Sequence, residues 1–177
     1  MIGLLKYGGQ AVVYAGMALW LGYFANMPVY THLDPELALI KLSVIHSAQR
    51  KGECRRRTKE ELEAMNPNMR KPFDCPRERL PIHIELLLDG EVIYDEVLQA
   101  AGLSKGSQAR AYKRLPASPG EHELLVRMVD SDRTEGYDYI KAARINLSSG
   151  VIFVVDFRAE SGGFMFHGPV IENLSEG

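Results

Sequence analysis

The sequence predicts a mainly β protein. We expect an antiparallel β-sandwich of about seven strands behind one N-terminal transmembrane helix, with a disulfide-closed, partly helical insertion. Three observations predict it. No Asp, Glu, Lys or Arg lies between Lys6 and Asp34. From Pro81 onward, apolar and polar residues alternate with period two, and turn residues interrupt them roughly every 8–12 residues. The only two cysteines, Cys54 and Cys75, bracket a strongly basic segment.

The first element is the stretch "YGGQAVVYAGMALWLGYFANMPVY", apolar apart from Gln10 and Asn26. About 20 apolar residues in a helix span the hydrocarbon core of a bilayer. Tyr7, Trp20, Tyr23 and Tyr30 suit the membrane interface, and Pro28 bends or ends the helix. A buried helix of a soluble protein would need a helical partner of matching length, which the chain lacks. A secretory signal would have an apolar core of about 7–15 residues and a small-residue cleavage pair, and "YFANMPVY" offers no clean one. An uncleaved anchor over 1–30 is therefore expected. The amine and Lys6 precede it and Asp34 and Glu36 follow, which places the N-terminus inside and the rest outside, in a bacterium the periplasm. Ala11, Ala15, Ala18 and Gly22 give small-residue spacings on adjoining helix faces for close packing against other membrane helices.

After the link "HLDPEL", the run "LALIKLSVIH" alternates, with Ile40, Leu42 and Val44 on one face and Lys41 and Ser43 on the other: a half-buried strand. The insertion spans 50–79. Thr58 and Glu61 have capping-box spacing, Leu62 and Met65 share a face, and Asn66-Pro67 ends the turn, so a short helix is expected there. "PIHIELLLDGEVIYDEVL" reads as two strands joined at Asp89-Gly90, a strong hairpin signal because both central residues take positive φ. Strands follow at "ARAYKRLPA", which carries Tyr112 and Leu115, and at "EHELLVRMVD", with Leu124, Val126 and Met128 on one face. Two more at "YDYIKAARINL" and "VIFVVDFRAE" are joined by Ser148-Ser149-Gly150. "GGFMFHG" is a last extended piece, the sandwich domain covers 31–168, and 169–177 reads as a flexible, frayed tail.

"SPGEHELLVRMVD", a Pro-Gly-x-His turn followed by alternating apolar residues and an Asp, resembles strand-turn-strand units of immunoglobulin-like sandwich modules, including the PEGA type. "INLSSGVIFVVDF" is similar to their closing hairpin, and the likeness covers about a third of the chain. The resemblance implies an immunoglobulin-like sandwich and no particular activity, because such folds host many functions.

Charge narrows the function classes. The formal net charge is −2, so bulk attraction to nucleic acid is not expected. Residues 50–79 hold ten Lys/Arg against six acids, so this segment carries +4 and the remainder −6. Arg55, Arg56, Arg57, Lys59, Arg70 and Lys71 are the candidate partner-binding residues. Few aromatics interleave with them, which argues against base stacking. In an oxidising compartment a lone pair of cysteines favours a disulfide, here closing a loop of about 22 residues. The spacing is neither C-x-x-C nor a zinc pattern.

Met65 and Met69 near the cysteines, and Met165 near His167, form an alternative soft-metal set suited to Cu(I). "DSDRTEGYD" gathers Asp130, Asp132, Glu135 and Asp138 without EF-hand spacing. The chain shows no nucleophile elbow, P-loop or dinucleotide fingerprint, and its histidines are scattered. The expectation is a non-catalytic, cofactor-free accessory or assembly subunit of a bacterial inner-membrane complex, respiratory or otherwise redox. Its partners would be integral membrane subunits and the lipid bilayer, with no nucleic acid and no small-molecule substrate. The alternatives are a periplasmic copper metallochaperone and an envelope-binding module.

Overall fold

The computed structural model describes residues 2–27 and 34–175, in two compact units that divide between Asp34 and Pro35. The first unit is a single helix, α1, Ile2–Asn26. Its end is closed locally: the Asn26 side chain donates to the Gly22 carbonyl at 2.8 Å and the Met27 N–H to the Tyr23 carbonyl at 2.9 Å. The expected helix forms, but the expected transmembrane span does not hold. Among the described residues no helix is long and apolar enough to cross a membrane. The 25 residues of α1 include Lys6, Gln10, three tyrosines and five glycines, which break up the apolar run that a bilayer core requires. The inside-out orientation and the interfacial roles of Tyr7, Trp20 and Tyr23 rested on that span. Pro28 and Tyr30 lie outside the described residues.

The second unit is built on two sheets. One has the order β10-β9-β1-β6 and the other β11-β8-β7-β4-β5. The elements are β1 (Ala38–His46), β2 (Arg55–Arg56), α2 (Lys59–Glu63), β3 (Phe73–Asp74), β4 (Ile82–Leu88), β5 (Glu91–Leu98), β6 (Ala109–Ala117), β7 (Gly120–Val129), β8 (Tyr139–Leu147), β9 (Ile152–Arg158), β10 (Gly163–His167) and β11 (Val170–Ser175). The two sheets therefore hold nine strands rather than about seven, and β2 and β3 form a separate ribbon in the insertion.

Period-two alternation creates the core. On β1, Ala38, Ile40, Leu42 and Val44 are fully buried, and β7 answers with Leu124, Val126 and Met128. Side chains of both sheets join one hydrophobic cluster that also takes in Ile82, Ile84, Leu86, Ile145, Phe153 and Val155. Phe153 is the largest wholly buried side chain. Its ring lies 5.7 Å from that of Phe166, and a Cβ at Gly168 would collide with Phe153 Cδ2. The backbone at Gly168 can pass Phe153 only because this residue has no side chain.

The sheets are not purely antiparallel. β1 pairs antiparallel with β6 but parallel with β9, Ile40 lying opposite Phe153. Nor is "INLSSGVIFVVDF" a hairpin: β8 and β9 belong to different sheets, and Ser148-Ser149-Gly150 carries the chain across the sandwich. Residues 170–175, expected to be part of a frayed tail, form β11 and pair with β8. The Asp89-Gly90 turn behaves as expected, with φ of 54° and 81°.

The polar turn before β8 is fixed by Asp138. Burial opposes ionisation of its carboxyl. Hydrogen bonds from the Asp130 and Ser131 N–H groups and the Ser131 hydroxyl, with the Arg133 charge, outweigh burial and hold it below the usual carboxylate range. A carboxyl with a depressed folded-state pKa contributes stability above its unfolded value of about 3.9, and that stability is lost as pH falls through the folded pKa. Asp138→Asn is therefore expected to lower the urea midpoint at neutral pH and flatten its fall below about pH 4. A variant with the wild-type acid slope would contradict this.

Candidate functional site

The insertion is the part of the β domain most distinct from the sandwich. Its stem continues the β ladder. The Lys51 N–H donates to the Glu78 carbonyl, the Leu80 N–H to the Gln49 carbonyl, and Arg50 bridges to Arg79. The Arg79 guanidinium ties the stem down through the Ala48 and Gly106 carbonyls, at 2.7 and 3.0 Å. Beyond the stem, Cys54 and Cys75 are joined by a disulfide, as expected, with Cα atoms 4.2 Å apart. The β2–β3 ribbon starts directly behind it, with Arg55 opposite Asp74 and Arg56 opposite Phe73.

Helix α2 is capped as its sequence dictates. The Glu61 N–H donates to Thr58 Oγ1, and the Thr58 N–H to the Glu61 carboxylate. The same carboxylate receives both terminal nitrogens of Arg55, at 2.9 and 3.2 Å. The Arg55 hydrogen bond, followed by the Thr58 N–H, holds the Glu61 carboxyl below its ordinary range. Arg57 reaches Asp74 at 2.9 Å and donates to the Met65 sulfur. Arg70 donates to the Met65 and Glu63 carbonyls, at 3.2 and 3.4 Å.

The six candidate cations thus divide into two groups. Arg55, Arg57 and Arg70 hold the insertion together. Arg56, Lys59 and Lys71 are exposed and have no partner among the described residues. Beside them Met69 and Phe73 are also exposed. Met69, Lys71 and Phe73 stand at alternate positions of the chain, and Phe73 pairs with Arg56 across the ribbon.

No apolar side chain of this segment belongs to the core cluster, so its order depends on the staple and the ion pairs. In the chain-entropy account, closing a loop of this length contributes roughly 3 kcal/mol to the folded segment. Reduction is therefore expected to open the insertion to trypsin between Arg55 and Lys71 while the sandwich stays resistant. Equal digestion of both regions, followed by mass spectrometry, would contradict that division.

The alternative copper set fares less well. Cys54 and Cys75 are oxidised, which removes thiolate donors, and the Met65 sulfur is engaged by Arg57. Met165 and His167 lie on β10, apart from the insertion. The calcium candidate "DSDRTEGYD" is also spoken for: Asp130 accepts from His46 at 2.6 Å, and Asp138 serves its own turn.

On α1, Ala11, Ala15, Ala18 and Gly22 lie on one stripe rather than on adjoining faces, since steps of four, three and four residues nearly close full turns. Large apolar side chains stand out on every other side. Val12, Tyr14, Leu19, Trp20 and Leu21 are each more than half exposed. The rings of Trp20 and Phe24 meet at 5.0 Å, one turn apart.

One grouping has no counterpart in any sequence motif. His83 and Glu85 on β4 meet Asp95 on β5, at the outer face of the five-stranded sheet. The His-x-Glu spacing announced a shared face, but nothing in the sequence announced the register that adds Asp95.

The chain matches no protein-family model, and no curated protein or solved structure is significantly similar to it.

Proposed function

We propose that this protein is a non-catalytic accessory or assembly subunit that works outside the cytoplasm by binding partner proteins. One observation carries the reading: α1 bears large apolar side chains on every side except its stripe of small residues. A helix with large apolar side chains on several sides is stable when other elements cover them, and its stripe of small residues leaves room for a neighbouring backbone. We place α1 against a partner protein, and the insertion's outward cations and apolar side chains on an acidic surface of that partner. The Cys54–Cys75 disulfide supports an oxidising compartment. On this reading the partner is an integral membrane assembly of the bacterial inner membrane, and a respiratory or other redox complex is the class we expect.

The test is gentle purification from native cells, with identification of co-purifying proteins and cross-linking from α1 and from Lys59 or Lys71. Stoichiometric integral membrane proteins cross-linked to both places are expected. A chain that elutes alone, with no cross-linked partner, would overturn the reading.

A further inference from the structure

We propose that His83, Glu85 and Asp95 form a site for a single divalent transition-metal ion, best suited to Zn²⁺, on the outer face of the five-stranded sheet. This site is independent of the docking role.

The placement comes from the strand register. His83 and Glu85 are two apart on β4 and share a face, and Glu85 lies directly opposite Asp95 on β5. One donor atom from each of the three side chains lies within 4.8 Å of the other two. His83 Nε2 is 2.6 Å from Asp95 Oδ1 and 3.6 Å from Glu85 Oε1. Ligands about 2.0–2.2 Å from a tetrahedral Zn²⁺ stand about 3.3 Å apart. The His–Glu separation is already near that value, and the His–Asp contact has to widen by less than an ångström. Asp95 is half exposed on β5, the outermost strand of its sheet, and has room to move.

Glu85 is held in place from behind. Arg127 grips Oε2, leaving Oε1 turned toward His83, and the Tyr137 hydroxyl lies 3.3 Å from both oxygens. The Arg127 guanidinium stacks over the Tyr137 ring at 4.5 Å. Such outer partners orient a ligating carboxylate, and Glu85 is itself mostly buried. With Arg127 included, the carboxylates leave a local charge of −1, which a divalent ion reverses. One imidazole and two carboxylates favour Zn²⁺ over Cu(I), which prefers sulfur, and over Ca²⁺, which wants six to eight oxygens. A cleft of about 410 Å³, lined by His83, Val97, Arg133 and Tyr137, opens beside the imidazole. It leaves the fourth position to water or to an acidic group of a bound molecule. The ion binds the neutral imidazole through the Nε2 lone pair, with the ring's one proton on Nδ1, and takes the place of the direct Nε2–Asp95 contact.

The experiment is titration of the full chain with ZnCl₂ by calorimetry, with X-ray absorption on the loaded protein. One saturable ion per chain is expected, bound by a single imidazole with oxygen ligands. His83→Ala and Asp95→Asn should each weaken binding at least tenfold. Tyr137→Phe should weaken it by about tenfold through Glu85. His122→Ala, at a distant His–Asp pair, should leave it unchanged. Circular dichroism checks that each variant is folded. Absence of saturable Zn²⁺ binding, sulfur or two imidazoles in the absorption spectrum, or wild-type affinity in both His83→Ala and Asp95→Asn would overturn the proposal.

Discussion

Phe153→Ala is expected to destabilise the β domain by about 3–5 kcal/mol, the range for removing a buried aromatic ring that its surroundings cannot replace. Phe153 has no exposed surface. It sits on β9 opposite Ile40, against Phe166 and the glycine at 168, where both sheets and the β10–β11 connection converge. Those elements are tied by strand pairing on either side, so they cannot close over a ring-sized void. The loss is a large share of the 5–15 kcal/mol typical of a folded domain. Urea unfolding should show a much lower midpoint with an unchanged slope. Gly168→Ala tests the same contact from the other side: the added methyl collides with the ring, and overpacking of this kind costs about 1–3 kcal/mol. A loss below about 1 kcal/mol in Phe153→Ala would show that the two sheets do not close on this ring.

The second large effect concerns α1. Leu19 and Leu21 point to nearly opposite sides of the helix, 200° apart at 100° per residue, and both are exposed. If a partner encloses the helix, Leu19→Glu and Leu21→Glu should each weaken association at least tenfold, about 1.4 kcal/mol, because either one buries an unpaired charge. Trp20→Ala should cost 2 kcal/mol or more, about 30-fold, as buried aromatic anchors usually do. Quantitative co-purification against the wild-type chain measures all three. Sensitivity at only one of the two leucines would indicate a one-sided groove. Insensitivity at both would remove α1 from the interface.

Local patterns in the sequence were reliable guides because the forces behind them are local. The inward faces of β1 and β7, the Asp89-Gly90 turn and the Thr58–Glu61 capping box each depend on residues a few positions apart. The disulfide followed from there being only two cysteines and an assumed oxidising compartment. The membrane span failed for a quantitative reason: freedom from charge over a long stretch is not the same as sufficient apolarity, and glycine, glutamine and tyrosine make the difference in α1.

Near neighbours in the chain thus fix the inward faces of β1 and β7, the turn at Asp89-Gly90 and the stapled loop. How the strands pair depends on contacts between distant segments, and only the folded chain reveals it. The fold set β1 parallel to β9, sent the Ser148-Ser149-Gly150 turn across the sandwich, and recruited 170–175 as a strand. It also divided the basic residues into those that brace the insertion and those that face outward. The His83–Glu85–Asp95 group shows why. Counted outward from Asp89-Gly90, a regular hairpin would set Asp95 opposite Ile84, on the core side. A register shift between Leu86 and Leu87 sets Tyr94 opposite Leu86 and brings Asp95 opposite Glu85. One extra residue reverses every side chain beyond it, and that choice is made by Tyr94 filling the core rather than by any pattern near Asp95.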